Sequence, residues 1–103
     1  MVAPLYFLCR LIPPRLDFME TMTPDERATM GRHVGYWSGK VGDGTALVFG
    51  PVADPNGGYG IGIIKVGSME AMIALRDVDP AMQADVGFSY DILPMPRLVI
   101  AGL

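Results

Sequence analysis

Apolar residues are grouped along the chain in short stretches, some with strand-like and some with helical spacing. The first stretch, Leu5–Ile12, is apolar at both alternating sets of positions, so both faces of this strand are expected to be covered. Further strands are predicted at 46–49, Tyr59–Val66 and 88–93, which are bounded by glycine and proline residues. The chain is therefore expected to contain four strands.

Two helices are predicted between these strands. The sequence Thr-Pro-Asp-Glu at 23–26 combines a capping box with proline at the first helical position, and this helix is expected to run to about residue 41. Its apolar side chains follow helical spacing and are predicted to form the buried face: Met30, Val34, Trp37 and Val41. Ser68 is the expected cap of a second helix through about Val78, which Pro80 then breaks or restarts.

The resulting order is β-α-β-β-α-β, the split βαβ pattern of ferredoxin-like α+β domains. Two helices then cover one face of a four-stranded antiparallel sheet and leave its other face open. Hydrophobic residues make up 50% of the chain and charged residues only 18%, against ~25% charged residues in a typical soluble domain. We therefore expect a homodimer in which a second subunit covers the open, apolar face.

Composition and charge disfavour several other roles. No uncharged apolar run approaches the ~20 residues of a membrane span, and Arg10 interrupts an apolar start that no basic segment precedes, so no signal peptide is expected. The net charge is −3 and lysine and arginine form no cluster, which disfavours nucleic-acid binding. Cys9, the single cysteine, cannot form an intrachain disulfide, and a reducing cytoplasm is the expected location.

Two residues are candidates for acid–base chemistry. His33, the only histidine, lies beside the apolar face of the long helix, where it is either a satisfied boundary residue or a general acid or base. Asp79 continues the inward-facing line of Met72 and Leu75, and an ionised carboxylate near a core is costly unless it is paired. Asp79 is therefore either a helix-end residue that accepts backbone hydrogen bonds before Pro80, or a carboxylate that orients His33 or itself acts as an acid or base.

Cofactor and metal motifs are absent from the sequence. Gly60-x-Gly62 lacks the third glycine of a dinucleotide fingerprint and lies within a strand, where bare backbone could instead admit a ligand or another chain. One histidine and one distant cysteine provide no metal-ligand spacing. We expect neither a cofactor nor a metal site.

Several motifs in collinear order resemble those of the YCII-related (YciI-like) proteins. They are Met-Thr-Pro-Asp-Glu-Arg at 22–27, His-Val-Gly-Tyr-Trp at 33–37, Phe-Gly-Pro-Val-Ala-Asp-Pro at 49–55, Tyr-Gly-Ile-Gly-Ile at 59–63, Asp79-Pro80, and Gly-Phe-Ser-Tyr-Asp-Ile-Leu-Pro-Met at 87–95. The resemblance covers about residues 5 to 96. A domain is accordingly expected at 1–97, followed at 98–103 by a short apolar tail outside the family pattern, which we expect to be docked.

The resemblance implies a dimeric α+β barrel with an active site built on a helical histidine and an aspartate before proline, which correspond to His33 and Asp79. Some relatives act in dechlorination of hydroxylated aromatic compounds, and related dimeric barrels include isomerases and cofactor-free monooxygenases. The leading hypothesis is a cofactor-free enzyme, of lyase, isomerase or dehydrochlorinase type, that acts on a small aromatic or lactone-like metabolite. His33 would move the proton, Asp79 would orient it, and five residues would bind the substrate: Tyr36, Trp37, Tyr59, Gly50 and Pro51.

Two other functions remain open from the sequence. The same pocket could belong to a non-catalytic homodimer that binds a metabolite or a partner without turnover. A haem-using dimeric barrel protein is a third hypothesis, which depends on fold analogy alone.

Overall fold

The computed structural model describes residues 3–102 and has the predicted α+β architecture. Within these residues the elements are β1 (Leu5–Ile12), α1 (Phe18–Thr21), α2 (Pro24–Gly42), β2 (Ala46–Val52), β3 (Tyr59–Val66), α3 (Met69–Val78), α4 (Pro80–Gln83) and β4 (Ser89–Met95). The four strands form one antiparallel sheet in the order β2-β3-β1-β4. This arrangement confirms the ferredoxin-like fold. Residues 1, 2 and 103, which begin the predicted domain and end the predicted tail, lie outside the described part.

Both long helices begin where their capping sequences place them. The Thr23 hydroxyl accepts a hydrogen bond from the Glu26 amide, and the Glu26 carboxylate accepts one from the Thr23 amide, which completes the capping box at the start of α2. The Ser68 hydroxyl accepts from the Ala71 amide at the start of α3. Pro80 ends α3 and begins the short α4, because its ring cannot continue a helix but suits a first helical position.

The buried face of α2 agrees with the predicted one only in part. Trp37 is buried and Met30 packs partly buried against the core, as predicted. Val34 and Val41, however, are 48% and 42% exposed, whereas Thr29 is buried and the His33 side chain is only 12% exposed. The inward line of the helix is therefore 29-33-37. Its cause is a long-range contact, since His33 and Trp37 both donate hydrogen bonds to a buried carboxylate that lies far away in the sequence.

The two outer strands are longer at their carboxyl ends than the sequence predicts. β2 passes through Gly50-Pro51 and ends at Val52, and β4 begins at Ser89, passes through Pro94 and ends at Met95. Both are edge strands of the sheet. Proline is tolerated at an edge, where the missing N–H has no partner strand to reach.

The sheet buries one face under the helices and presents a second apolar face. Phe7, Cys9 and Leu11 of β1 are buried beneath the helices, and the alternate positions point to the other side. There Leu8 pairs with Ile63 of β3 and with Leu93 of β4.

The same open face carries an ion pair. Arg10 donates to Asp91 at 2.8 Å and lies over the ring of Tyr59. Across residues 3–102, no helix is long and apolar enough to cross a membrane.

Candidate active site

Asp79 occupies the junction between two helices. It follows the last residue of α3, caps the amino end of α4, and has no solvent-exposed surface. Its extended backbone (φ −55°, ψ 128°) is the conformation that a following proline favours. Its Oδ1 accepts a hydrogen bond from the Ala81 amide at 2.9 Å, so the backbone role considered from the sequence is present in the structure.

The same carboxylate accepts hydrogen bonds from three side chains on two other elements. Nδ1 of His33 lies 2.9 Å from both Asp79 oxygens, and Nε1 of Trp37 donates to Oδ2 at 2.8 Å. The hydroxyl of Tyr90, on β4, also donates to Oδ2. Together with the Ala81 amide, four donors surround one buried carboxylate, which is how proteins stabilise a charge away from water.

These hydrogen bonds decide the ionisation of the network. Burial raises the pKa of Asp79, but the hydrogen bonds from His33, Tyr90, Trp37 and Ala81 outweigh it and hold the pKa below its ordinary value. Burial, followed by the charge of Asp79, raises the pKa of Tyr90 far above that of a free tyrosine. Asp79 therefore stays an anion and Tyr90 stays a donor across the physiological range.

The carboxylate also fixes the orientation of His33. An ionised Asp79 accepts only, so the hydrogen-bond network assigns the proton to Nδ1 of the neutral imidazole. Among the described residues, Nε2 of His33 has no hydrogen-bond partner. Because none of their buried side-chain nitrogen or oxygen atoms lacks a partner, this nitrogen retains some exposed surface. The ring belongs to the wall of a cavity, so its free nitrogen is available to a bound molecule.

The cavity lies between α2 and the helix-facing side of the sheet. Its volume is about 180 Å³. Segment 13–22, which includes α1, contributes Phe18, Met19 and Met22 to its lining, and Phe88 comes from the loop before β4. Arg15 holds this segment against α2 through hydrogen bonds to both carboxylate oxygens of Glu26, each 2.8 Å long.

The structure brings together six of the seven residues that the sequence analysis assigned to a site. His33, Trp37, Gly50 and Pro51 line the cavity, and Tyr59 also borders it, although its ring lies under Arg10 on the open face of the sheet. Asp79 lies directly behind His33 and Trp37. Tyr36 is not part of the lining. Its hydroxyl donates to the Leu75 carbonyl at 2.8 Å, and its ring packs edge-on against Trp37 with 5.1 Å between ring centroids.

Tyr90 is the member of the network that sequence reasoning did not assign. Phe88, Tyr90 and Ile92 alternate in the sequence of the last strand, so Tyr90 shares one face with apolar neighbours. A buried tyrosine hydroxyl requires a hydrogen-bond partner, and this requirement was the available signal. Segment 13–22 gave no such signal, because α1 is too short to show periodicity.

The fold and this site together define an α+β domain with a histidine–aspartate pair beside an apolar cavity. The family model of the YCII-related domain matches residues 7–96, and the chain belongs to that family. No curated protein matches the chain significantly. Within residues 3–102, no group of three or more histidine, cysteine, aspartate or glutamate residues is placed to hold a metal ion.

Proposed function

We propose that the protein is a cofactor-free enzyme that carries out acid–base chemistry on a small molecule bound in this cavity. The observation that carries the proposal is the pairing of His33 Nδ1 with both oxygens of buried Asp79, which leaves Nε2 free beside the cavity. The same division between a base and an orienting carboxylate is familiar from catalytic triads. A buried carboxylate with four donors, in turn, holds the ring in place.

In the proposed mechanism, Nε2 of neutral His33 removes a proton from the bound molecule, and Asp79 stabilises the imidazolium that forms. Return of that proton to a different atom isomerises the substrate. Loss of a leaving group from the neighbouring atom, with the C–H electron pair forming the new π bond, makes the reaction an elimination. Asp79 takes no proton in either course, because its pKa is lowered and both oxygens already accept hydrogen bonds.

A second candidate is a homodimer that binds a metabolite without turnover. The specific observation in its favour is that the cavity lining is largely apolar, as in many ligand-binding sites. Catalysis and binding differ in what they require of His33, because a base must exchange its proton, whereas a wall residue need only keep its shape.

The base-catalysed ring opening of 5-methylisoxazole-4-carbonitrile, an uncharged compound with a single planar ring, tests the proposal. Removal of its C3–H proton forms a nitrile, breaks the N–O bond and releases an enolate that absorbs in the ultraviolet, so any accessible base in an apolar cavity accelerates it. We expect the wild-type protein to be active, and His33→Gln to lose about 10²-fold or more of the rate. Asp77→Asn, at an exposed position of α3, is the matched control. Equal rates for wild type and His33→Gln would refute His33 as the base and favour the function of binding without turnover.

We also propose that the working form is a homodimer in the reducing cytoplasm. Supporting features are the half-exposed Val48 and Leu93 on the open face of the sheet and the free, buried thiol of Cys9. Pairing two such faces would bury more than ~1,000 Å². The tail would pack on the second subunit, since Val99 is 90% exposed in the single chain. Light scattering that gives the 11.1 kDa mass of one chain would refute the dimer.

A further inference from the structure

Part of the floor of the cavity is a stretch of β3 that has no inward side chains. On the helix-facing side of β3 the successive positions are Gly60, Gly62 and Ile64, because these pair with the inward residues of β1. Ile64 is buried in the core, whereas the two glycines lie in the cavity lining. Over the length of two inward positions, the cavity is therefore bounded by backbone.

The fold itself does not require glycine at these two positions. Neither residue has a positive φ. A Cβ atom would have its nearest neighbour at 3.7 Å at Gly60 and 3.4 Å at Gly62, which are ordinary contacts. Gly57 is different, because its φ of 128° and a contact of 2.9 Å with Leu16 do require glycine. Glycine weakens a strand, so its presence at two positions that the backbone does not require needs another explanation. The structure offers the open space above residues 60 and 62, which larger side chains would fill.

The opposite wall consists of side chains of α2, namely Met30, His33, Val34 and Trp37. A bare strand below and a helix above form a slot that suits a flat molecule. An apolar cavity of about 150 Å³ is known to hold benzene, and this cavity has about 180 Å³. The space therefore matches one six-membered ring with a small substituent.

The lining carries no fixed charge. Within the described chain, no lysine, arginine, aspartate or glutamate lines the cavity. On its α2 wall the Trp37 N–H already donates to Asp79, so His33 carries the polar atom that is left for a ligand. A carboxylate or ammonium group enclosed there would lose its hydration without touching a group of opposite charge, which is costly. The anionic Asp79 lies behind His33 and Trp37, where its oxygens already accept four hydrogen bonds. The enclosed part of the ligand is therefore expected to be uncharged.

We infer that the cavity binds an uncharged, planar, single-ring molecule that lies flat on the backbone of β3, and that Gly60 and Gly62 set the size of the ring. The inference deepens the proposed function, because it assumes that the cavity beside His33 is the site. It assigns selectivity to the floor, while the chemistry belongs to the α2 wall. Neither glycine takes part in the hydrogen-bond network of Asp79.

A matched series of compounds tests the ligand class. Benzyl alcohol is the neutral planar probe, benzoate and benzylammonium are its charged counterparts, cyclohexylmethanol is non-planar, and 2-naphthalenemethanol has a second ring. The single histidine and single tryptophan of the chain give assigned ring signals in NMR titrations at neutral pH. We expect benzyl alcohol to shift both signals and every other compound to bind about tenfold more weakly or worse. Equal or tighter binding of either charged compound, or no shift with benzyl alcohol, would overturn the inference.

A matched series of variants tests the floor. Gly60→Ala and Gly62→Ala should weaken benzyl alcohol binding, and Gly60→Val and Gly62→Val should weaken it further, by about tenfold or more. Gly67→Val is the control, since Gly67 follows β3 and a Cβ there meets nothing within 4 Å. The Trp37 indole N–H signal reports whether each variant is folded. If a valine variant does not fold, the alanine variant at the same position provides the test. Unchanged binding in both folded alanine variants and in any folded valine variant would refute the role of the floor.

The two proposals fail separately. Binding can also be measured in His33→Gln, which has no base, through the signal of Trp37. If benzyl alcohol binds selectively but the ring-opening reaction does not depend on His33, the proposed function is wrong and the inference holds. If the reaction depends on His33 but charged compounds bind as well as benzyl alcohol, the inference alone is wrong.

Discussion

Nδ1 of His33 lies 2.9 Å from each carboxylate oxygen of Asp79, although 46 residues separate the two in the sequence. Asp79 is fully buried and cannot turn toward solvent without leaving four donors unpaired. The ring of His33 is consequently held by a carboxylate that is itself immobilised. The site is therefore preorganised, and this property determines how its variants should behave.

Asp79→Asn should change the tautomer of His33. The asparagine amide can donate to Nδ1, which would place the histidine proton on Nε2 and remove the free acceptor from the cavity. A single amide oxygen also cannot serve the four donors that now share the carboxylate, so we expect a loss of about 1–3 kcal/mol in unfolding free energy. The ¹⁵N shifts of the single histidine measure the tautomer. Asp77→Asn is the control, and an unchanged Nδ1–H tautomer in Asp79→Asn would contradict the prediction.

Tyr90→Phe and Tyr36→Phe should differ in their effects. The Tyr90 hydroxyl donates to ionised Asp79, so its removal should raise the pKa of Asp79 and lower the unfolding free energy by about 1.5–3 kcal/mol. The Tyr36 hydroxyl donates to a neutral carbonyl, for which about 0.5–1.5 kcal/mol is expected. Urea unfolding compares the two variants. In the ring-opening assay Tyr36→Phe should retain the wild-type rate, and a larger loss of activity in Tyr36→Phe than in Tyr90→Phe would contradict this assignment.

Stability should decrease in acid, because two carboxyl groups have lowered pKa values in the folded protein and both contributions are lost as the pH falls. A carboxyl whose folded pKa is lowered contributes stability above its ordinary pKa, and this contribution is lost as the pH falls through the folded value. Asp79 has a lowered pKa, and the hydrogen bonds from Arg15 and Thr23 lower that of Glu26 to about 2. The urea midpoint, followed by Trp37 fluorescence, should therefore fall as the pH decreases from about 5 to about 2. In Glu26→Gln the decrease should be smaller, whereas a pH-independent midpoint would count against both pairings.

Arg15→Met should loosen the segment that covers the cavity. Its guanidinium joins Glu26 of α2 to the hydroxyl and carbonyl of Thr21, at the end of α1. Because partly exposed ion pairs contribute only ~0–1 kcal/mol, we expect little change in global stability but faster amide hydrogen exchange in residues 16–22. Arg76→Met, which breaks an exposed pair between neighbouring residues, should leave that exchange unchanged. Identical exchange in wild type and Arg15→Met would show that apolar packing alone holds the cover.

The parts of this fold that the sequence predicts are those that local rules determine. Strand β3 and both long helices begin at the expected residues, because alternation and capping chemistry act over a few neighbouring positions. The buried face of α2 was predicted correctly at Trp37 and Met30 but not at Val34 and Val41, which hydrophobic spacing favoured over His33. Contact with Asp79 decides that orientation, and spacing within one helix carries no information about a carboxylate 46 residues away.

The site was predictable in its residues more than in its arrangement. His33 and Asp79 stood out as an isolated histidine and an unusual inward-facing carboxylate. Trp37 was expected to bind substrate, and besides lining the cavity it donates to Asp79. The cover formed by segment 13–22 and the role of Tyr90 depend on how distant elements pack, which no local pattern encodes.

The bare floor of β3 lies on a different element from the histidine and from the carboxylate that holds it. Substitutions at residues 60 and 62 can therefore alter which molecule fits without disturbing how a proton is moved, whereas substitutions around Asp79 disturb the joint between helices as well as the reaction. Divergence in substrate preference should accordingly accumulate along the strand while the network is retained. For protein engineering, the strand is the place to vary and the helix junction is the place to leave intact.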